Sequence, residues 1–118
     1  FALKPRDYRK DMPKKARDAA LRSALLSKIL DKEVIVVDGI QFDKAQTKRA
    51  NKMISNLKLS GSLVYASETF NKELMLSFRN LERARITPVA DLNTLDVMNC
   101  KHLVIDKKGL EQFLKAGV

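Results

Sequence analysis

Val34-Ile35-Val36-Val37, bounded by Glu33 and Asp38, is a β-branched run with no polar residue inside it. A strand with one wet face alternates apolar and polar side chains. An unbroken run is the pattern of a strand buried on both faces of a parallel sheet. Parallel strands cannot be joined by tight hairpins and need long crossovers, usually helices. This short run therefore narrows the fold to alternating helices and strands, and the remaining sequence supplies both.

Pro5 holds Lys4, and Pro13 holds Met12, in extended conformations. Residues 1–12 are expected to form an extended arm, followed by a domain over 13–118. Pro13 suits the first turn of a helix, and helix one is expected over about 13–31. Its wheel carries a broad arc of Ala16, Ala19, Ala20, Ser23, Ala24, Leu26, Ser27 and Leu30, and a second stripe of Leu21, Leu25 and Ile29 opposite. A surface helix normally has one apolar face. Two imply a helix packed on both sides, or one that awaits a partner.

Asp43 with Gln46 has the spacing of a capping box, opening a second helix on which Ala50, Met53, Ile54 and Leu57 repeat until Ser60-Gly61. Ser62-Leu63-Val64-Tyr65-Ala66 is a second expected strand. Asn71 is placed to cap a short helix bearing Leu74 and Phe78. Arg85-Ile86-Thr87-Pro88-Val89-Ala90 is a third strand, at an edge because Pro88 cannot donate to a ladder. Asn93 is placed to cap a helix running through Met98. Lys101-His102-Leu103-Val104-Ile105 is a fourth strand. Asp106 then caps a last helix with Leu110, Phe113 and Leu114, and Gly117 follows its end. Such alternation argues for an α/β domain with a mostly parallel sheet.

Charge is distributed unevenly along this frame. Residues 1–30 hold nine Lys/Arg against three Asp, a net +6 of the whole chain's +9. Lys4, Arg6, Arg9, Lys10, Lys14, Lys15, Arg17 and Arg22 run from the arm onto helix one, with Tyr8 placed to stack on a base or ribose. Cations spaced along a semi-rigid segment neutralise successive phosphates. A sequence pI of about 9.9 points to the same class of partner, and more weakly to an anionic membrane surface. The bland alternative is a solvated tail. A second basic group, Lys44, Lys48, Arg49, Lys52 and Lys58, follows helix two, where a charged outer face is ordinary for an α/β protein. Arg79-Asn80 stands where a helix should end. Its Arg either presents a fork to phosphate or serves the helix dipole.

Other function classes fare poorly. No apolar run is long enough to span a bilayer, and the N-terminus lacks the apolar stretch of a signal peptide. One Cys and one His exclude an internal disulfide and the usual zinc sites. Cys100 and His102 have no catalytic company nearby in sequence. The four glycines are scattered and make no phosphate loop. Asp38, at the carboxyl end of the first strand, is the best enzyme-like candidate, as a phosphoacceptor or catalytic group. Yet no acidic pair precedes it to hold a metal, and Asp-Gly is an ordinary turn pair.

Lys4-Pro-Arg-Asp-Tyr8, Met12-Pro-Lys-Lys15, Ala20-Leu-Arg-Ser-Ala-Leu25, Val34-Ile-Val-Val-Asp38, Thr47-Lys48, Leu76-Ser-Phe-Arg-Asn-Leu81, Asp91-Leu-Asn93, Asp96-Val97 and Leu103-Val-Ile105 occur in one colinear order. Together they resemble the bacterial type of the large-subunit ribosomal protein L-four family, over essentially the whole chain. The resemblance implies a three-layer α/β/α fold around a four-stranded parallel sheet. It also implies binding to large-subunit ribosomal RNA during assembly, neighbouring ribosomal proteins as partners, and a monomer within a cytoplasmic ribosome, with an organelle ribosome as the other setting. It implies no enzyme activity, cofactor, metal, membrane or small-molecule substrate. RNA contacts are expected at Lys4, Arg6, Tyr8, Arg9, Lys10, Lys14, Lys15, Arg17, Arg22, Lys48, Arg79 and Asn80. In the family, a first segment and a long loop lining the peptide exit tunnel precede this stretch, so the loop's role falls on no residue here. The Leu21, Leu25 and Ile29 stripe is expected to be covered by that first segment. Phe78 stands where the family often has a small residue. Some bacterial members also repress their own operon, so a regulatory RNA binder is the second reading.

Overall fold

A computed structural model describes residues 1–68 and 71–116 of the chain. The elements run α1 (Lys14–Leu30), β1 (Val34–Val37), α2 (Thr47–Asn56), β2 (Leu63–Ser67), α3 (Lys72–Arg79), β3 (Ala84–Pro88), a 3-10 turn (Val89–Asp91), α4 (Thr94–Asn99), β4 (His102–Asp106) and α5 (Lys107–Lys115). All four strands are parallel, in the order β1-β4-β2-β3.

Handedness fixes where the helices go. Parallel crossovers are right-handed in nearly every case. The steps β1 to β2 and β2 to β3 move one way across the sheet, so α2 and α3 share a face. The step β3 to β4 moves back, so α4 lies on the other. Packing agrees. On one face Leu63 and Tyr65 of β2 and Val104 of β4 meet Phe42, Ala50, Leu74 and Phe78. On the other, Val64 and Ala66 of β2 and Leu103 and Ile105 of β4 meet Ala24, Val97 and Leu92, with Leu110 and Phe113 alongside. The result is the three-layer α/β/α arrangement.

Several boundaries differ from the sequence expectation for physical reasons. The doubly buried strands are β2 and β4. β1 is an edge strand with one neighbour, and Val36 is half exposed. β3 is also an edge, as Pro88 implied. It stops at Pro88, and Val89 and Ala90 turn into the 3-10 segment. The Asp43 capping box does not form, because α2 begins at Thr47 after an extended Gln46 with no side-chain cap. Asn71 precedes α3 without capping it, whereas Asn93 does accept from the Asp96 N–H at 2.8 Å. Gly117 lies outside the described residues.

Both long helices end without glycine. Lys32 (φ 58°) and Lys58 (φ 51°) take the left-handed position that follows α1 and α2. After α1 the Glu33 N–H reaches back to the Lys28 carbonyl and the Lys32 N–H to Ile29, which is a Schellman closure. Lys28 Nζ also pairs with Glu33 Oε2 at 2.5 Å. That partner holds the Glu33 carboxyl below its ordinary range, and the pair fixes where α1 hands over to β1.

The faces of α1 are also reassigned. Leu21, Ala24 and Leu25 pack on the chain's own sheet, so this stripe needs no further segment to cover Leu21 and Leu25. Ile29 at its end is exposed, as is most of the small-residue arc from Ala16 to Leu30.

Gly109 sets how closely α5 approaches the sheet's carboxyl edge. A Cβ there would lie 2.6 Å from Val89 Cγ2, and a β-branched side chain has no free rotamer to yield. Gly109→Ala is expected to destabilise the fold by about 1–3 kcal/mol. In urea unfolding this is a lower midpoint with an unchanged slope.

Candidate nucleic-acid interface

The expected site residues fall into two groups. Residues 1–13 form no helix or strand, and Lys4, Arg6, Tyr8, Arg9, Lys10, Lys14, Lys15, Arg17 and Arg22 are all exposed. Local contacts shape the N-terminal stretch. The Arg9 N–H donates to Asp7 Oδ1 at 2.9 Å, Arg9 Nε lies 3.8 Å from Asp11 Oδ1, and the Arg6 guanidinium sits 4.6 Å from the centre of the Tyr8 ring. The ion pair is almost fully exposed and contributes little to stability. The Arg6–Tyr8 contact brings a cation and a flat ring together, which is the pairing that holds an unstacked base beside its phosphate. Pro13 then offers its carbonyl to the N–H groups of Ala16 and Arg17, so α1 begins directly behind this stretch.

The second group lies on the other side of the sheet. Lys48 in the first turn of α2 and Arg79 in the last turn of α3 line one surface cleft with Gln46 and Thr47. The Gln46 N–H donates to Ser77 Oγ at 2.9 Å, and Ser77 Oγ–H donates to the Glu73 carbonyl at 2.7 Å. These bonds lock the start of α2 against α3. Asn80 does not join this cleft. It lines a separate depression with Asn51, Leu59 and Arg83, so the Arg-Asn pair of the sequence is split between two surfaces.

Charge on α2 runs against helix electrostatics. A first turn favours carboxylates, but this one carries Lys48 and Arg49 and no acid. Lys48 and Lys52 stack one turn apart, a like-charge arrangement that costs a helix about 0.2–0.5 kcal/mol. Arg49 rests its guanidinium 5.2 Å from the Phe42 ring centre. The ion pairs found among the described residues are Arg9–Asp11 and Lys28–Glu33, so Lys44, Lys48 and Lys52 have no carboxylate partner there.

The carboxyl edge of the sheet, where open α/β folds place ligands, is taken up by structural bonds. Asp106 occupies the capping position before α5, but its buried carboxylate does not cap that helix. It accepts instead from Tyr65 O–H, from Ser67 Oγ–H at 3.1 Å and from the Glu68 N–H at 3.3 Å. Burial, and then the Asp106 carboxylate beside it, push the Tyr65 phenol far up and keep it protonated. Sequence reasoning missed this network because Tyr65, Ser67 and Asp106 are spread over two separate strands; the polar ends of two apolar runs were its signal. Asp38 is exposed just beyond the edge strand β1. No group of acids, His or Cys able to hold a metal occurs among the described residues. Cys100 is a small core residue, as expected, and burial pushes its thiol up, away from the reactive thiolate. Phe78 is also core, stacked on Tyr65 at 5.8 Å and tilted against Phe42 at 6.5 Å.

A groove of about 220 Å³ between α1 and α5 is lined by Leu25, Leu26, Ile29, Leu110, Phe113 and Leu114. Apart from Arg22 its walls are apolar, which does not suit a phosphate chain. No helix among the described residues is long and apolar enough to cross a membrane.

Comparison with known proteins meets this geometry. The Ribosomal protein L4/L1 family matches residues 1–116. The large ribosomal subunit protein uL4 of Clostridium perfringens is 38% identical over 112 residues, covering 95% of this chain and 53% of that protein. That of Lachnospira eligens is 39% identical over 112 residues, with 95% and 54% covered, and that of Lactobacillus gasseri 32% identical over the same share. A family match across nearly the whole chain places it in the L4/L1 family, as its resemblance implied, and that family is structural rather than enzymatic. The chain spans about half the length of the curated relatives it matches.

The role given to Asp106 is separable from that of Asp38. Tyr65→Phe removes a hydrogen bond to a buried charge and is expected to cost about 1.5–3 kcal/mol. Asp38→Asn, at an exposed turn, is expected to stay within about 0.5 kcal/mol. Equal urea midpoints for the two variants would contradict this assignment.

Proposed function

We propose that this chain is a structural component of the large ribosomal subunit that binds ribosomal RNA. The N-terminal stretch and α1 supply the principal contacts. The observation that carries this reading is the exposed series Lys4, Arg6, Arg9, Lys10, Lys14, Lys15, Arg17 and Arg22 on consecutive segments of one chain, in a protein whose relatives are named for the large subunit.

The mechanism is electrostatic and steric. Residues 1–12 act as an arm, and the α/β body fixes where the arm leaves the surface. Its cations neutralise phosphates that would repel one another as RNA helices pack, and each neutralised phosphate releases condensed counterions. Tyr8, with Arg6 against its ring, stacks on an unpaired base. Arg79 and Lys48 contribute from their cleft, and Asn80 from the adjoining depression. The protein acts as a monomer among neighbouring ribosomal proteins, in the cytoplasm if the ribosome is bacterial. Membership of a family without catalytic chemistry speaks against an enzyme or phosphoacceptor at Asp38.

Replacing Arg6, Arg9, Lys14 and Lys15 together with Ala is expected to weaken binding to large-subunit RNA. It should also flatten the dependence of log K on log salt by up to roughly 0.7–0.9 for each phosphate that is no longer neutralised. A filter-binding series from low to physiological salt measures this. An unchanged slope would remove the arm from the mechanism.

A further inference from the structure

We propose that the open edge of β1 pairs with β1 of a second copy of this chain, joining two four-stranded sheets into one across a two-fold axis. The pairing goes beyond the RNA-binding reading. It concerns the chain off the ribosome and uses none of the residues given RNA contacts above. The two edges of the sheet are unequal. β3 is guarded by the exposed Arg85 and by Pro88, devices that keep edges from pairing. β1 is Val34-Ile-Val-Val37, with neither charge nor proline, and β4 is its one neighbour. The Leu103 N–H bonds to the Glu33 carbonyl. Alternate residues of a strand turn their backbone groups the same way, so Glu33, Ile35 and Val37 serve β4, and Val34 and Val36 direct N–H and C=O outward. Nothing among the described residues bonds to them there.

What flanks this edge selects a second copy. A two-fold axis at Ile35, normal to the sheet, sets Val34 opposite Val36 of the second copy, and each such pair exchanges both N–H···O bonds. The same register sets Lys32 opposite Asp38 at either end. Both are exposed, and neither has an ion-pair partner among the described residues. The edge is therefore complementary in charge to itself read backwards. The axis also keeps α1 of both copies on one side of the joined sheet. There Leu26, Ile29, Leu114 and Val34 line one apolar groove, with Leu30 one turn beyond Leu26 on α1 and Val36 on the same strand face as Val34. Leu26, Ile29, Leu30, Val36 and Leu114 are each half or more exposed. Together they present roughly 500 Å², at the upper end for a monomer's largest apolar patch. A stable interface buries about 800 Å² on each partner, and the strand backbone with its flanking charges makes up the difference.

The test is sedimentation of the 118-residue chain from micromolar to millimolar concentration, in about 0.15 M salt so that the +9 on each copy is screened. The expected result is a reversible dimer of twice 13.4 kDa. Lys32→Asp and Asp38→Lys each set like charges opposite one another at both ends of the strand pair, and each is expected to weaken the dimer about tenfold or more. An equimolar mixture of the two regains it, because every facing pair is then of opposite sign. Asp tolerates the left-handed backbone at position 32, and circular dichroism with urea midpoints checks each fold. Val36→Lys adds a charge to the open edge and is also expected to weaken the dimer. A monomer throughout the range overturns the inference. So does an open series of larger species, because a two-fold contact closes at two copies. A dimer of unchanged strength in any of the three variants overturns it as well, and so does a mixture that associates no better than its components. None of these results touches the RNA-binding reading, whose failure shows in the salt slope.

Discussion

Burial of β2 and β4 on both faces is the constraint on which the rest of the structure depends. Val64, Ala66, Leu103 and Ile105 need cover on one side, and Leu63, Tyr65 and Val104 on the other. Helices must therefore lie on both faces, and right-handed crossovers decide which helix goes where. Every basic helix is thereby turned outward by an apolar requirement on its inner side. Ala50, Met53 and Ile54 hold α2 inward and so present Lys48 and Lys52 to solvent. Leu21, Ala24 and Leu25 do the same for α1, leaving Lys14, Lys15 and Arg22 outside.

The same sheet explains why the proposed surface is not where an α/β enzyme would carry its site. The carboxyl ends of its two central strands are closed by the Asp106 carboxylate and its three donors. α5 follows at once, and Gly109 brings it close over Val89. A buried carboxylate satisfied in this way is costly to disturb, so it ties β2 to β4 and offers no open position to a substrate. The exposed charge lies instead on the outer helices and the N-terminal stretch, where the proposed function puts recognition.

Much of this was legible in the sequence where one residue determines one outcome. The apolar runs announced four strands, Pro88 an edge, and Asn93 a cap, each through local backbone chemistry. Strand order was not legible. The Val34–Val37 run reads as a central strand because composition reports burial and not neighbours, and its position at the edge follows from β4 inserting between β1 and β2. The end of helix one was legible, but the left-handed backbone at Lys32 and Lys58 was not, because glycine is the usual signal for it and here lysines accept that conformation. The proposed site was legible as charge, and charge density on residues 1–30 is a property of composition. Its division was not, since only the fold shows that Lys48 and Arg79 line one cleft and that Asn80 lines another.

The central claim is that these 118 residues recognise large-subunit ribosomal RNA. Its most direct test is equilibrium binding to fragments of that RNA and to unrelated RNA of equal length, followed from low salt to about 0.15 M, where the Debye length falls to about 8 Å. The account predicts that both RNAs bind at low salt and that only the large-subunit fragments remain bound at the upper end. Equal loss of both RNAs across the series would contradict it and reduce the chain's contribution to charge alone.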